Sequence, residues 1–336
     1  MRQPQVTVLG GGSWGTAVAN IAVRNTPTLL WARDAATVEG INERHCNERY
    51  LPEWSLHRRL RATTDLEEAI TYADVLVLGI PSHSCRTVLE QAAEHLRPWV
   101  PVVSLVKGLE QGTRLRITEV VSQVLPGHPV GVLNGPNIAR EIVAGYAAAA
   151  TLAMPDQHLS EALQRLLSYH TFRVYTTTDV IGAEVGGALK NVFAIATGTG
   201  DGLRAGDNTR SMVITRSLRE LSRLGEAMGG QQVTFSGLAG MGDLIVTCTS
   251  PHSRNRRTGM MLAEGKTLAE IATELKQVAE GVKTASVVME LARQHGVEMR
   301  IAEKVDAVIN HGLPVAHSYR GLLRELPDHE FEGTSW

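Results

Sequence analysis

The N-terminal segment of the chain places a glycine-rich turn between a predicted strand and a predicted helix. Val6–Leu9 is a short apolar run, residues 10–15 read G-x-G-x-x-G, and an apolar helical pattern follows. This order is typical of a βα turn whose backbone N–H groups and helix dipole hold a pyrophosphate. Gly10 would form the tight turn, Gly12 would let the backbone approach the ligand, and Gly15 would let the helix pack on the strand. The segment favours a dinucleotide-binding fold over an ordinary βα turn that happens to contain glycine.

The residues after the second predicted strand, Thr28–Trp31, bear on which dinucleotide would bind. Folds that bind NAD place an acidic residue roughly 20 positions after the glycine motif, where it holds the ribose 2′-hydroxyl. Arg33 stands at or near this position, and Asp34 follows it. A guanidinium suits a 2′-phosphate, so the sequence favours NADP(H), with NAD(H) possible. In the alternative interpretation, Arg33 is a solvated loop residue and Asp34 caps the next helix.

Length and composition limit the class of protein. The chain has 336 residues, enough for two domains, and a formal net charge of −2. This charge gives no bulk attraction to nucleic acid or to an anionic membrane. Three widely spaced cysteines and scattered histidines predict neither a disulfide framework nor a metal site. We also find no apolar run of membrane-spanning length, and we therefore expect a cytoplasmic protein.

The pattern of apolar runs changes near the middle of the chain. In the first half, runs rich in β-formers alternate with amphipathic helical patterns, which predicts a doubly wound, mainly parallel sheet of the Rossmann type. The predicted strands are 6–9, 28–31, 75–80, 102–106, 130–133, 148–153 and 172–175. From about residue 180 onward the pattern is almost wholly helical. We predict an α/β dinucleotide-binding domain at 1–178 and an all-α substrate-binding and catalytic domain at 179–336.

Four further motifs occur in a fixed order after the glycine-rich turn. They are V-K-G-L-E at 106–110, N-G-P-N-I-A-R-E at 134–141, G-A-L-K-N-V at 187–192, and G-M-G-D-L at 240–244 followed by S-R-N-R at 253–256. Together they resemble the bacterial type of NAD(P)-dependent glycerol-3-phosphate dehydrogenase, from residue 6 to about residue 316. The resemblance implies reversible reduction of dihydroxyacetone phosphate to sn-glycerol 3-phosphate, a precursor of glycerophospholipids. It also implies a Rossmann domain followed by a helical domain, and a homodimer.

The glycine-rich stretch that carries Lys190 is predicted to open a helix of the second domain, and the resemblance assigns the general acid and base to this lysine. Reduction of a ketone places negative charge on the carbonyl oxygen, which an ammonium group can stabilise and protonate. From the sequence alone, an equally good interpretation is that Lys190 lies at the end of a helix and that its side chain extends into water. The remaining alternatives are a solvated loop for Lys107, a helix cap for Asp243, and an exposed basic face for Arg254, Arg256 and Arg257.

The other site residues come from the resemblance, position by position. The implied substrate contacts are Lys107, Gly135, Asn137, Lys190, Asp243, Ser253, Arg254 and Asn255. The implied cofactor contacts, besides the three glycines, are Ser13, Trp14, Arg33, Tyr50, Lys107, Ala139, Arg254, Val278 and Glu280. The family usually carries Ser or Thr where this chain has Asn137, whose amide can still donate and accept hydrogen bonds. Tyr50 has the alternative of belonging to an ordinary packed loop.

Two other functions compete with the dehydrogenase that the resemblance implies. A related β-hydroxyacid or sugar-acid dehydrogenase would share the glycine-rich turn and a lysine, but the G-M-G-D and S-R-N segments argue against it. A nucleotide-sensing module without catalysis would have lost its catalytic positions, yet Lys107, Lys190 and Asp243 are all present.

Overall fold

The computed structural model describes residues 2–275 and 279–318. The chain divides into two compact units, the first ending at Val180 and the second beginning at Ile181. Each unit is described in turn.

The first unit is built on an eight-stranded sheet. Its strands, in chain order, are β1 (Val6–Leu9), β2 (Thr28–Trp31), β5 (Arg61–Thr63), β6 (Val75–Leu78), β7 (Val102–Ser104), β8 (Val130–Asn134), β9 (Ala148–Ala153) and β10 (Phe172–Thr177). Their order across the sheet is β10-β9-β8-β7-β6-β1-β2-β5. The six strands from β8 to β5 in this order are parallel, whereas β9 pairs antiparallel with β8 and parallel with β10. The predicted mainly parallel, doubly wound sheet is confirmed.

Both faces of the sheet are buried, which explains why its central strands are continuous apolar runs. Val8 and Val77 belong to a core on one face, whereas Leu9 and Leu78 belong to a core on the other. The first face is covered by α1 (Ser13–Asn25), α2 (Ala35–Glu43), α6 (Ala139–Val143) and α7 (Gln157–Leu167). The second face is covered by α3 (Leu66–Tyr72), α4 (Cys85–Ala93) and α5 (Ile117–Val124).

The sequence analysis missed three strands. The strands β3 (Cys46–Asn47) and β4 (Leu51–Ser55) form a separate antiparallel pair, and β5 joins the edge of the main sheet beside β2. All three are short, and β4 reads L-P-E-W-S with mostly exposed residues. Proline and exposed polar residues are tolerated at such edges, so no apolar run marks them in the sequence.

The second unit is helical, as predicted. Its helices are α8 (Val180–Gly202), α9 (Asp207–Ala227), α10 (Gln232–Phe235), α11 (Asp243–Thr249), α12 (Arg254–Ala263), α13 (Leu268–Glu274), α14 (Glu280–His295) and α15 (Arg300–Asn310). A short π-helical segment, Leu238–Gly242, leads into α11. Among the described residues, α8 alone is long and apolar enough to pass a length-and-composition test for a membrane span, but it is mostly buried, as a core helix is.

Candidate active site

The glycine-rich turn joins β1 to α1 as the sequence predicts. Gly10 has φ +127°, and a Cβ there would lie 2.4 Å from the Gly79 carbonyl oxygen, so only glycine fits. A Cβ on Gly15 would lie 2.1 Å from the Gly10 oxygen, which lets α1 pack directly on the turn. Gly12, in contrast, borders open space. Within the described residues no side chain caps α1, so its first N–H groups can receive an anion.

The end of β2 separates the roles of Arg33 and Asp34. Asp34 is the N-cap of α2 and accepts hydrogen bonds from Thr37 N at 3.0 Å and Thr37 Oγ1 at 2.5 Å. These two bonds hold the pKa of Asp34 below its ordinary value, and the bond from the Thr37 side chain has the larger effect. This part of the alternative interpretation is confirmed. Arg33 is exposed, and no hydrogen bond or ion pair engages it within the described residues. Arg33 therefore remains free to bind a phosphate.

A turn after α2 lies against the glycine-rich turn. The buried Asn47 amide donates to Gly11 O at 2.9 Å and to Thr16 Oγ1 at 2.8 Å, and its Oδ1 accepts from Tyr50 N at 3.3 Å. Tyr50 is 40% exposed, and its carbonyl oxygen lies 3.5 Å from Ser13 Oγ. Asn47 thus holds Tyr50 beside the predicted cofactor residues. The sequence analysis missed Asn47, which is separated from the glycine motif by the whole of β2 and α2.

Two polar atoms in this unit are buried without a hydrogen-bond partner among the described residues. They are the Nε1 donor of Trp14, whose ring packs edge-to-face on Phe172, and the Oδ1 acceptor of Asn137. Buried unpaired polar atoms are costly, and those at binding sites are commonly satisfied by a ligand or by water. Both residues belong to the sites predicted from the sequence.

The loops after β7 and β8 bring Lys107 and Gly135 together. Lys107 Nζ donates to Gly135 O at 2.8 Å. Gly135 has φ +151°, and a Cβ there would lie 3.0 Å from Ala149 O, so this turn requires glycine. Asn137 Nδ2 donates to Ala149 O at 3.2 Å. β7 ends at Ser104, so Lys107 lies three residues beyond the strand and not directly at its end.

The loop that carries Lys107 is fixed by a buried carboxylate. Glu110 accepts two hydrogen bonds from Arg86, Nε to Oε1 and Nη2 to Oε2, both at 2.9 Å. Thr113 Oγ1 donates to Glu110 Oε2 at 2.5 Å. Arg86 lies in the first turn of α4, so this bridge joins the start of α4 to the loop that follows β7. The Arg86 guanidinium is the main cause that holds the pKa of Glu110 below its ordinary value.

Lys190 and Asp243 form a buried ion pair in the second unit. Their side chains are 5% and 1% exposed, and Lys190 Nζ also donates to Thr247 Oγ1 at 2.7 Å. The sequence analysis placed Lys190 in a stretch that opens a helix, and this was wrong, because α8 already begins at Val180. Lys190 does not extend into water. Asp243 is the first residue of α11, whose cap position is Gly242, so the predicted helix-cap alternative does not hold.

The segment Ser253-Arg254-Asn255 forms the start of α12. Ser253 is the N-cap and accepts from Arg256 N at 3.3 Å, while Arg254 is exposed. Asn255 is buried: its Nδ2 donates to Asn191 Oδ1 and its Oδ1 accepts from Gly281 N, both at 2.9 Å. The Asn255 amide therefore ties α12 to α8 and to the first turn of α14. Asn191, next to Lys190, and Thr247 were missed by the sequence analysis, because their neighbours are distant in the chain.

The remaining predicted residues take these places. Ala139 is the first residue of α6, and Glu280 is the first residue of α14. Val278 lies outside the described residues. Cys248 is buried one residue after Thr247, and this burial raises the pKa of its thiol to about 12. Within residues 2–275 and 279–318, no group of three or more His, Cys, Asp and Glu side chains could hold a metal ion.

Comparison with known proteins gives a consistent result over the whole chain. Residues 5–160 match the family model described as NAD-dependent glycerol-3-phosphate dehydrogenase N-terminus, and residues 179–320 match its C-terminal counterpart. The NAD(P)+ glycerol-3-phosphate dehydrogenase of Mycobacterium avium (strain 104) is 60% identical and is covered to 99%, with 100% of this chain aligned. The NAD(P)+ glycerol-3-phosphate dehydrogenase 2 of Sphingopyxis alaskensis is 56% identical, and the match covers 95% of this chain and 96% of that protein.

A solved structure gives the same result for the fold. The glycerol-3-phosphate dehydrogenase of Coxiella burnetii superposes with a TM-score of 0.91 at 35% identity. The match covers 96% of this chain and 99% of that chain.

Proposed function

The chain belongs to the NAD(P)-dependent glycerol-3-phosphate dehydrogenase family, and from this membership we propose that Lys190 is the general acid and base of its reaction. The protein is an oxidoreductase with glycerol-3-phosphate dehydrogenase activity that uses NAD(P). The observation that carries the proposal is the buried ion pair of Lys190 with Asp243. An ammonium group held in place by a carboxylate can stabilise and protonate a developing alkoxide.

The reaction adds a hydride and a proton to the C2 ketone of dihydroxyacetone phosphate. The reduced nicotinamide supplies the hydride when it is bound. The Lys190 ammonium donates the proton to the carbonyl oxygen, and in the reverse direction the neutral amine removes it from the C2 hydroxyl. Asp243 and Thr247 Oγ1 fix the position of Nζ, so that the lysine does not have to reorganise during the step.

Substrate recognition is proposed to rest on two groups of residues. Arg254 pairs with the phosphate, helped by Ser253 and the first N–H groups of α12, since a helix N-terminus and a guanidinium both favour an anion. Lys107, Gly135 and Asn137 contact the rest of the substrate. The contacts of Asn255 within the second unit leave its amide with one further N–H, so a direct bond to the phosphate stays a prediction.

Cofactor binding is proposed to use the turn between β1 and α1. The open space at Gly12, the uncapped start of α1 and the unpaired Trp14 Nε1 fit a pyrophosphate and its neighbouring groups. Ser13, Tyr50, Lys107, Ala139, Arg254, Val278 and Glu280 are the other proposed contacts. Arg33 is exposed and uncommitted, whereas Asp34 is engaged as a helix cap, and this favours NADPH over NADH.

The cellular setting follows from the family and from the cysteines. We propose that the enzyme supplies sn-glycerol 3-phosphate for glycerophospholipid synthesis and that it acts as a homodimer, as the family does. Cys46, Cys85 and Cys248 are all free thiols, which fits a reducing cytoplasm.

The test is the absorbance of reduced nicotinamide, with dihydroxyacetone phosphate and either NADPH or NADH. Rapid oxidation that is faster with NADPH supports the assignment of substrate and of cofactor preference. Oxidation only with a 3-hydroxy acid's keto form as substrate would indicate the related acid dehydrogenases instead. Binding of NADPH without turnover on any ketone would indicate a sensing module.

A further inference from the structure

The buried carboxylate of Asp201 is used by neither the acid–base step nor the substrate contacts described above. Asp201 lies in the last turn of α8, and its side chain is 7% exposed. Its Oδ1 accepts from Arg210 Nε of α9 at 2.7 Å, and its Oδ2 accepts from Arg256 Nε of α12 at 2.6 Å. Each carboxylate oxygen therefore holds a guanidinium from a different helix.

The contact between α8 and α12 is unusually close at this point. A Cβ on Gly198 would lie 2.0 Å from the Arg256 carbonyl oxygen, and a Cβ on Gly259 would lie 2.1 Å from the Ile195 oxygen. The two helices touch through their backbones, so neither glycine could carry a side chain without a shift of one of the helices. Arg256 belongs to this contact and is 16% exposed at its side chain. It is not part of an exposed basic face, as the alternative interpretation of the sequence supposed.

The first turn of α12 is held to α8 at two points. One is the hydrogen bond from Asn255 to Asn191, the residue after Lys190. The other is the ion pair of Arg256 with Asp201, ten residues further along α8 than Asn191. Arg254 directly precedes Asn255 and Arg256 in the sequence, on the turn that they fix. Its position relative to Lys190 therefore depends on both contacts.

We propose that Asp201 is a positioning residue for the substrate phosphate: through Arg256 it fixes the first turn of α12, so that Arg254 holds the phosphate at the distance from Lys190 that the reaction needs. This inference rests on the proposed role of Arg254. Its physical basis is that a rigidly placed phosphate contact positions the ketone, and a misplacement near 1 Å can lower a rate by roughly 100-fold.

The test compares three variants: Asp201→Asn, Arg256→Gln and the matched control Arg210→Gln. All three remove one charge from the same cluster, but Arg210→Gln leaves the pair of Asp201 with Arg256 intact. Turnover is measured on dihydroxyacetone phosphate and on dihydroxyacetone, which lacks the phosphate. The affinity for sn-glycerol 3-phosphate is measured by calorimetry, and thermal unfolding reports any loss of stability.

We expect Asp201→Asn and Arg256→Gln each to lower kcat/KM for dihydroxyacetone phosphate by roughly 10- to 100-fold, through a lower kcat as well as a higher KM. Activity on dihydroxyacetone should change little, and the affinity for sn-glycerol 3-phosphate should fall in parallel. Arg210→Gln should keep the wild-type ratio between the two substrates. If Asp201→Asn does not fold, the comparison of Arg256→Gln with Arg210→Gln provides the test, because Asp201 retains one guanidinium partner in both of these variants.

Equal losses on both substrates, or the same losses in Arg210→Gln as in Arg256→Gln, would overturn the inference and leave Asp201 a purely structural residue. The variant Arg254→Gln separates this failure from a failure of the proposed function. If Arg254→Gln does not discriminate between the two substrates, the proposed phosphate contact is wrong. If it does discriminate while Asp201→Asn and Arg256→Gln do not, only the positioning role is wrong.

Discussion

Lys190 in the middle of α8 and Asp243 at the start of α11 are 53 positions apart in the chain, yet they form an ion pair that is almost completely buried. Such a pair is an uncertain gain in stability, because both charges lose their hydration. The acid–base role that we propose for Lys190 requires a positioned ammonium group and would account for a pair in the interior.

Removal of the carboxylate should be costly to the fold. Asp243→Ala leaves the Lys190 ammonium buried without its counter-charge, and loss of one partner of a buried pair typically costs about 3–5 kcal/mol. Urea denaturation would measure the free energy of unfolding. Asp65→Ala, which removes an exposed helix cap, is the control and should cost clearly less. Similar losses in both variants would show that removal of the Asp243 carboxylate does not leave a costly unpaired charge in the interior.

Arg33 should set the preference for NADPH. A charge-assisted hydrogen bond to the 2′-phosphate is worth roughly 1.5–3 kcal/mol, so Arg33→Asp should weaken NADPH and leave NADH nearly unchanged. Titration of the two cofactors by nicotinamide fluorescence gives both dissociation constants. Arg173→Asp makes the same charge change at an exposed arginine on β10, which lies at the edge of the sheet far from β2. An unchanged ratio of affinities in Arg33→Asp would refute the assignment.

The bridge between Arg86 and Glu110 should make stability depend on pH. The Arg86 guanidinium lowers the pKa of Glu110, so the stabilisation is fully present above the ordinary glutamate pKa of about 4.3 and is lost as pH falls through the folded-state pKa. Glu110→Gln should cost roughly 1–3 kcal/mol near neutral pH, and this cost should shrink in acid. Denaturation curves of both proteins across acid pH measure the difference.

The control for this bridge is Glu48→Gln, whose partner Arg44 is exposed and which should change stability little at any pH. A stability difference between wild type and Glu110→Gln that stays constant down to strongly acid pH would contradict the account.

The three thiols should differ sharply in reactivity. Burial raises the pKa of Cys248 to about 12, which leaves almost no thiolate at neutral pH, and Cys85 is also buried. Only the half-buried Cys46 should react quickly with a thiol reagent in the native protein. Mass spectrometry of the labelled peptides, before and after denaturation, would check this. Rapid native labelling of Cys248 would mean that the thiol is accessible beside the lysine.

The sequence predicted the sheet because its strands are buried on both faces. All seven predicted strands occur, because a continuous apolar run such as 75–78 is typical of a strand that is buried on both faces of the sheet. β3, β4 and β5 were missed, because short edge strands leave no such pattern. The start of α8 was also misplaced, because Val180–Gly202 is buried on nearly every side and therefore shows no amphipathic period.

The candidate site was only partly readable from the sequence. Gly10 and Gly135 could be singled out, since each occupies a backbone conformation or a close contact that excludes a side chain. Asn47, Asn191 and Asp201 could not, because each acts through contacts with segments far away in the chain. Only the fold brings these partners together.

The most direct test of the central claim is the turnover of Lys190→Arg beside Lys190→Ala. Arginine keeps the positive charge opposite Asp243, but its guanidinium does not exchange a proton near neutral pH. The absorbance of reduced nicotinamide with dihydroxyacetone phosphate gives the rate, and fluorescence titration gives the affinity for NADPH. We predict that both variants bind NADPH and lose turnover, whereas near-normal turnover in Lys190→Arg would contradict the role of Lys190 as general acid and base.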